Sequence, residues 1–218
     1  MKKTGNVFLA IGKEVGEKLV AITKEAGIEL VGVLRRGDIH KVEEADTLIC
    51  CQYDKIFSPQ ELSKFKRAIN IHFSILPHNR GCLPINWGIW NNNPVGVTIH
   101  EMNDKVDDGN IIEQREIDLD CTDTAYTAYI KCCTLTLRMY GQLVRQLVDG
   151  NYTSYKSDSS TYSYHVKGEF PNGGYINKDW SEIDIDRFIR ALTFPDCPKA
   201  KIHIRGIDYE LGYYNYRI

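Results

Sequence analysis

Two stretches of the chain hold residue types that can move protons and stabilise developing charge. The first is Asn70-Ile71-His72, followed by Ser74-Ile75-Leu76-Pro77-His78-Asn79-Arg80-Gly81. On a strand, residues two apart project to the same side. An amide beside an imidazole suits acyl transfer to an amine. The amide can stabilise the oxyanion of a tetrahedral intermediate, and the imidazole can take a proton from the attacking nitrogen. Taken alone, Asn-x-His on a strand is more often structural. The second stretch is Gly96-Val97-Thr98-Ile99-His100, which runs into a loop with Asp104, Asp107, Asp108 and Gly109. A carboxylate there can orient His72 and favour its charged form. The competing reading is turn formation, since Asp and Gly are common turn residues.

The elements that must position these residues alternate between strand and helix patterns. Asn6 to Ile11 is a short apolar run, expected as a buried strand. A helix is expected over Val15 to Ala26, stopped by Gly27. Strands are expected at Glu29 to Leu34, Asp46 to Cys51 and Ala68 to Ser74, with a helix at Pro59 to Arg67 before the last. Strands separated by helices imply a parallel sheet, and ligands bind beyond the carboxyl ends of such strands. Further strands are expected at Val95 to Met102 and Asn110 to Leu119. A long helix follows, capped by Thr122 or Asp123. Ala125, Ala128, Cys132, Leu135, Met139, Leu143 and Leu147 recur at spacings of three and four and mark its core face.

Composition changes after Gly150, where Tyr, Ser and Thr dominate residues 151–165. Tyr162 to Val166 alternates like a strand, and Ile185 to Leu192 reads as a short helix. Lys201 to Ile204 and Tyr209 to Tyr213 read as a hairpin around Arg205-Gly206. The expected architecture is α/β: a Rossmann-like domain with a parallel or mixed sheet over residues 1–150, and a small β-rich appendage over 151–218.

The chain has 218 residues, 43% of them hydrophobic and 26% charged, the balance of a soluble globular protein. A formal charge of -2 lacks the basic surplus of a protein that wraps nucleic acid. Seven cysteines without a C-x-x-C spacing read as reduced thiols of a cytoplasmic protein. No secretory signal or membrane span is read. His78, His100, His165 and His203 show no metal spacing, so no metal is expected.

Together the two stretches resemble the formyltetrahydrofolate-dependent formyltransferases. That family carries Asn-x-His, Ser-x-Leu-Pro, Arg-Gly, then Gly-Val-Thr, a loop and Asp-x-Gly, and this sequence shows all of these in order. Tyr53-Asp54-Lys55-Ile56 is similar to the family's folate-side loop. The resemblance implies a Rossmann-like formyltransferase domain that uses N10-formyltetrahydrofolate and needs no metal. It implies that Asn70 binds the formyl oxygen, that His72 is the general base and that Asp107 supports His72. It places folate against Tyr53, Lys55, Ile56, Phe57, Leu76 and Asp104.

Within the family, the sugar N-formyltransferases are most similar. Leu76 to Gly81 with Pro84-Ile85-Asn86-Trp87 resembles their form of the motif, and Gly174-Tyr175-Ile176, Trp180, Arg187 to Leu192, Pro195 and Pro198 resemble their tail. The implied acceptor is a nucleotide-linked amino sugar, such as dTDP-4-amino-4,6-dideoxyglucose. His78, Asn79, Arg80 and Trp87 are its expected contacts. Arg80 and Asn79 suit a diphosphate, while Trp87 and Trp90 suit either a nucleobase or the core. Glycinamide ribonucleotide or methionyl-tRNA as acceptor, water as acceptor, and a non-catalytic folate- or nucleotide-binding module are the alternatives. A homodimer through the tail is expected from family analogy.

Overall fold

A computed structural model describes residues 5–158 and 161–213, with the side chains of residues 13 and 14 excepted. In chain order the elements are β1 Asn6–Ile11, α1 Lys13–Glu25, β2 Glu29–Arg35, β3 Ala45–Cys51, α2 Pro59–Leu62, β4 Phe65–His72, β5 Arg80–Gly81 and α3 Pro84–Asn91. There follow β6 Gly96–Glu101, β7 Ile111–Glu116, α4 Ala125–Asp149, β8 Tyr164–His165, α5 Glu182–Ala191, β9 Ala200–Ile204 and β10 Ile207–Leu211. The described chain divides into two compact units. One takes residues 5–72, 97–115 and 133–158; the other takes 73–96, 116–132 and 161–213.

The first unit carries a six-stranded sheet in the order β2-β1-β3-β4-β6-β7. β2, β1, β3 and β4 run parallel, and β6 returns antiparallel to β4. The sheet is therefore mixed, with helices, as expected of this fold class. Val7 to Ile11 is buried along its whole length because both faces of the sheet are covered. One core cluster joins Phe8, Ala10, Leu34, Leu48, Phe57 and Phe65. On α4, Ala128, Cys132, Met139 and Leu147 are fully buried, as the apolar stripe predicts. Tyr140 is buried beside that stripe, and its hydroxyl lies 2.8 Å from Thr23 Oγ1 on α1, so the pair satisfies itself inside the core.

Several boundaries depart from the sequence pattern. The helix expected over Pro59 to Arg67 stops at Leu62, although Ser58 caps it with a reciprocal Ser58–Glu61 box. Phe65 to Arg67 are taken instead by β4, whose pairing with β3 begins at Ala45 opposite Phe65. Burying Phe65 at 8% exposure outweighs another turn of a solvated helix. The long helix is capped by Thr124, whose Oγ1 accepts from the Thr127 N–H at 3.3 Å. Asp123, expected as a cap, instead pairs with Lys131 at 2.6 Å.

The second unit has its own core, built from Ile176, Phe188 and Ala200 with Trp90, Phe170 and Trp180 packed around them. β9 and β10 form the expected hairpin. β8 shortens the expected strand to two residues, paired parallel with β5. α3, unread in the sequence, begins at Pro84 after Leu83 in a left-handed conformation and ends at Asn92 in another. Among the described residues no helix is long and apolar enough to cross a membrane. Cys50, Cys51 and Cys132 are buried, while Cys121 and Cys197 are exposed. Burial pushes the Cys50 thiol up to about 12, which keeps it protonated.

Candidate active site

The antiparallel pairing of β4 with β6 builds the polar centre of the first unit. Its register sets Asn70 opposite His100 and His72 opposite Thr98. Directly opposed residues share a face, and so do residues two apart along one strand. Asn70, His72, Thr98 and His100 therefore share one face at the end of β4. The carboxylate arrives from the loop after β6. Asn103 Oδ1 accepts the Lys105 N–H at 2.9 Å and turns that loop. Asp107 then takes a left-handed backbone, φ 50°. That conformation costs on the order of 1 kcal/mol for a residue with a Cβ and is borne best by Asp and Asn. Gly109 completes the return: a Cβ there would stand 1.7 Å from the Glu101 carbonyl oxygen, so only glycine lets the loop close against β6.

The result is a carboxylate shared by three side chains. Asn70 Nδ2 donates to Asp107 Oδ1 at 3.0 Å. Asp107 Oδ2 lies 3.5 Å from His72 Nδ1, an ion-pair distance longer than a tight hydrogen bond. Asp107 Oδ1 also lies 3.4 Å from His100 Nε2. The side chains of His72 and Asp107 are each 8% exposed and that of His100 is 2% exposed. In so dry a place an unpaired charge is costly, and each member needs the others. The three residues expected to do chemistry, Asn70, His72 and Asp107, thus converge. His100 joins them, and the sequence pattern did not single it out for this role. Its signal was the antiparallel return of β6, which the strand pattern alone does not fix.

Of the expected folate-side residues of the first unit, Tyr53, Lys55, Ile56 and Phe57 form one loop with two characters. Tyr53 is half-buried, hydrogen-bonded to His40 Nδ1 at 2.9 Å and stacked on that ring. Burial raises its phenol above the usual range. Phe57 is in the core. Lys55 is exposed and donates to the Asp38 carbonyl at 3.0 Å. Ile56 is 79% exposed, an apolar surface on an otherwise polar loop. Asp104 is exposed.

The remaining expected residues belong to the second unit. Leu76 is buried, and a cis peptide joins it to Pro77. Asn79, left-handed at φ 56°, is fully buried, and its N–H donates to Ser163 Oγ at 2.7 Å. The Arg80 N–H donates to the Ser163 carbonyl, and the Cys82 N–H to the His165 carbonyl. A Cβ on Gly81 would come within 2.3 Å of that carbonyl. His78 is half-buried, and the half-buried Arg80 guanidinium lies 5.5 Å from the Tyr162 ring centre. Trp87 is 7% exposed, with His165 stacked on it at 3.8 Å and 7° and Phe170 at 5.0 Å. Of the two roles the sequence left open for Trp87, this surrounding fits the core. Trp90 likewise packs on Trp180 and Phe188.

Known proteins align with the segment that carries this centre. The formyl transferase family matches residues 36–143. A GDP-perosamine N-formyltransferase from Brucella melitensis is 32% identical over 168 residues, covering 76% of this chain and 64% of that protein. The chain thus matches less than two thirds of that relative's length. The formyltransferase of Anoxybacillus kamchatkensis, solved with UDP-4,6-dideoxy-4-formamido-L-AltNAc and tetrahydrofolate, is 28% identical, with a TM-score of 0.66 over 74% of this chain and 86% of that one. A 4-N formyltransferase from Francisella tularensis has the same fold, with a TM-score of 0.84 at 19% identity over 96% and 97% of the two chains. Asn70, His72 and Asp107 all stand within residues 36–143, and that segment of the chain matches the formyl transferase family.

Proposed function

We propose that the chain transfers a formyl group from N10-formyltetrahydrofolate to the amine of a nucleotide-linked amino sugar. The reading rests on one observation above all: an amide, an imidazole and a carboxylate gathered around Asp107 inside the family segment. The folate supplies the formyl carbon. As the acceptor amine bonds to that carbon and the carbon–N10 bond breaks, His72 takes the proton lost by the amine and returns it to the leaving nitrogen. Asn70 donates an amide N–H to the formyl oxygen while charge builds there. Asp107 stabilises His72 in its charged form. The exposed Ile56 and the loop around it suit a flat heterocycle, with Tyr53, Lys55, Phe57, Leu76 and Asp104 assigned to the folate.

The acceptor is assigned by likeness. The Anoxybacillus enzyme was solved with a 4,6-dideoxy-4-formamido sugar carried on UDP, and the Brucella relative is named for GDP-perosamine. We therefore read the acceptor as a 4-amino-4,6-dideoxyhexose, with the dTDP-linked gluco form heading the panel. His78 and Arg80 serve the acceptor, and the buried Asn79 and Trp87 support them from within. Residues 1–150 form the catalytic domain, and 151–218 add further substrate contacts and the dimer contacts. The purified chain, given the folate donor and dTDP-, UDP- and GDP-linked amino sugars, should yield a product heavier by one formyl group. His72→Ala should lower the rate at least about a hundredfold. No product across the panel defeats the reading, and donor loss without an amine would mark a hydrolase instead.

We also propose that two copies pair through the hairpin. Its register puts Ala200, Ile202 and Ile204 on one face with Leu211, Tyr209 and Ile207. Ala200 is buried in the core, but Ile204, Ile207 and Tyr209 are 43%, 56% and 47% exposed. An apolar face that overhangs its core suits a self-complementary contact. Light scattering at micromolar concentration should give a dimer, and Ile207→Lys should give a monomer. A monomeric wild type refutes the pairing.

A further inference from the structure

His100 is held in one tautomer by its own backbone. Its Nδ1 lies 2.7 Å from the Glu101 carbonyl oxygen. A carbonyl only accepts, so the proton sits on Nδ1, and Nε2 of the neutral ring is left with a lone pair. That lone pair lies 3.2 Å from Asn70 Nδ2, whose amide bridges it to Asp107 Oδ1, 3.4 Å from the same ring nitrogen. The other hydrogen of the same amide goes to Asp107 Oδ1 at 3.0 Å. Both amide hydrogens therefore have partners in the resting protein, and Asn70 is pinned from two sides. Were the amide turned over, its oxygen would face the Asp107 carboxylate at that distance, so Asp107 also fixes which edge of the amide faces which neighbour. The Glu101 oxygen that locks His100 is the one a Cβ on Gly109 would strike. Gly109, Glu101, His100 and Asn70 thus form one chain of contacts.

We infer that His100 is a positioning residue: in the resting protein it accepts the second N–H of Asn70, and it yields that N–H to the formyl oxygen when charge develops there. The inference rests on the proposed formyl transfer for its consequence, though not for the tautomer. A neutral imidazole nitrogen holds the hydrogen while the site waits, and an oxyanion is the stronger acceptor when it forms. The amide then needs only a small turn rather than a search among orientations, which is the benefit of preorganised donors.

Three measurements test this. In ring-15N-labelled protein, the His100 signals, assigned by their loss in His100→Leu, should be those of the Nδ1-protonated tautomer. Nε2 protonated at neutral pH overturns the inference without any substrate present. In the formyl-transfer assay, His100→Leu should lower kcat about tenfold while KM for donor and acceptor stays within about twofold, a fraction of the loss expected for deleting an oxyanion donor outright. His100→Gln, which offers an acceptor oxygen, should recover most of that loss and serves if the Leu variant fails to fold. In an Asn70→Ala background, His100→Leu should change kcat less than about twofold, because a residue acting through Asn70 has nothing left to position. A full tenfold loss in that background overturns the inference. Failure of the wild type to formylate any amine would defeat the proposed function, and the tautomer would still decide the resting contact.

Discussion

The two units hold their important residues by different means. In the first, side chains hold side chains: Asp107 gathers Asn70, His72 and His100 at distances of 3.0 to 3.5 Å. In the second, backbone and rings hold a loop. Asn79, Arg80 and Cys82 hydrogen-bond to Ser163 and His165, and Trp87 stacks on the His165 ring. The first arrangement is electrostatic and has little apolar area at stake. The second is shape and burial. Damage to the first should show in rate, and damage to the second in stability. Substitutions that cross this line break the comparison.

The largest expected effect is therefore on the stack. Trp87→Ala should cost about 3–5 kcal/mol in a denaturant titration, the range for removing a buried aromatic from a core. Trp87→Phe should cost much less, because a ring can still cover His165. A loss under about 1 kcal/mol for the alanine variant would mean that Trp87 is no core residue and would reopen its assignment to a nucleobase.

Next comes the carboxylate. Asp107→Asn keeps a residue that tolerates φ 50° and keeps the shape of the side chain. It removes the charge that faces His72. The rate should fall about a hundredfold, on the scale of a lost acid–base partner. Stability should move by less than about 1 kcal/mol, as the backbone loop is retained. An equal fall in stability would show that Asp107 holds the loop more than it serves His72.

Parts of this were legible in the residues alone. Asn70 and His72 share a face because strands repeat every two residues, and that rule survives any packing. The core face of α4 was legible for the same kind of reason, its period. What could not be read depends on partners distant in the chain. Phe65 leaves the helical pattern because β3 offers it a strand to join. His100 meets Asn70 only because β6 runs antiparallel to β4, and six alternating residues carry no sign of direction. Trp87 looked equally suited to a nucleobase or a core, and His165, 78 residues later, settles its surroundings. Gly109 read as a turn former, whereas its hard requirement is contact with a carbonyl on another element.

The smallest expected effect belongs to His165 and separates the units by pH. Burial holds its imidazole below the ordinary histidine value, and Glu169, with Oε2 4.0 Å from Nδ1, opposes this only in part. The side chain is 11% exposed and the ring is stacked on Trp87, so a proton there is paid for in desolvation. The folded pKa is lower than the unfolded one, so the unfolded chain binds the proton more readily. Stability from this residue is fully present above the ordinary histidine value and is lost as pH falls through it toward the lowered folded value. The slope from one proton cannot exceed about 1.4 kcal/mol per pH unit. Denaturant titrations between pH 7.5 and 5 should show His165→Phe, which keeps a ring against Trp87, losing less stability on acidification than the wild type. Subtracting the two curves removes the other histidines, which titrate in both proteins. Parallel curves would show that the stack accepts a charged ring at no cost, and that the second unit is held less by burial than its geometry indicates.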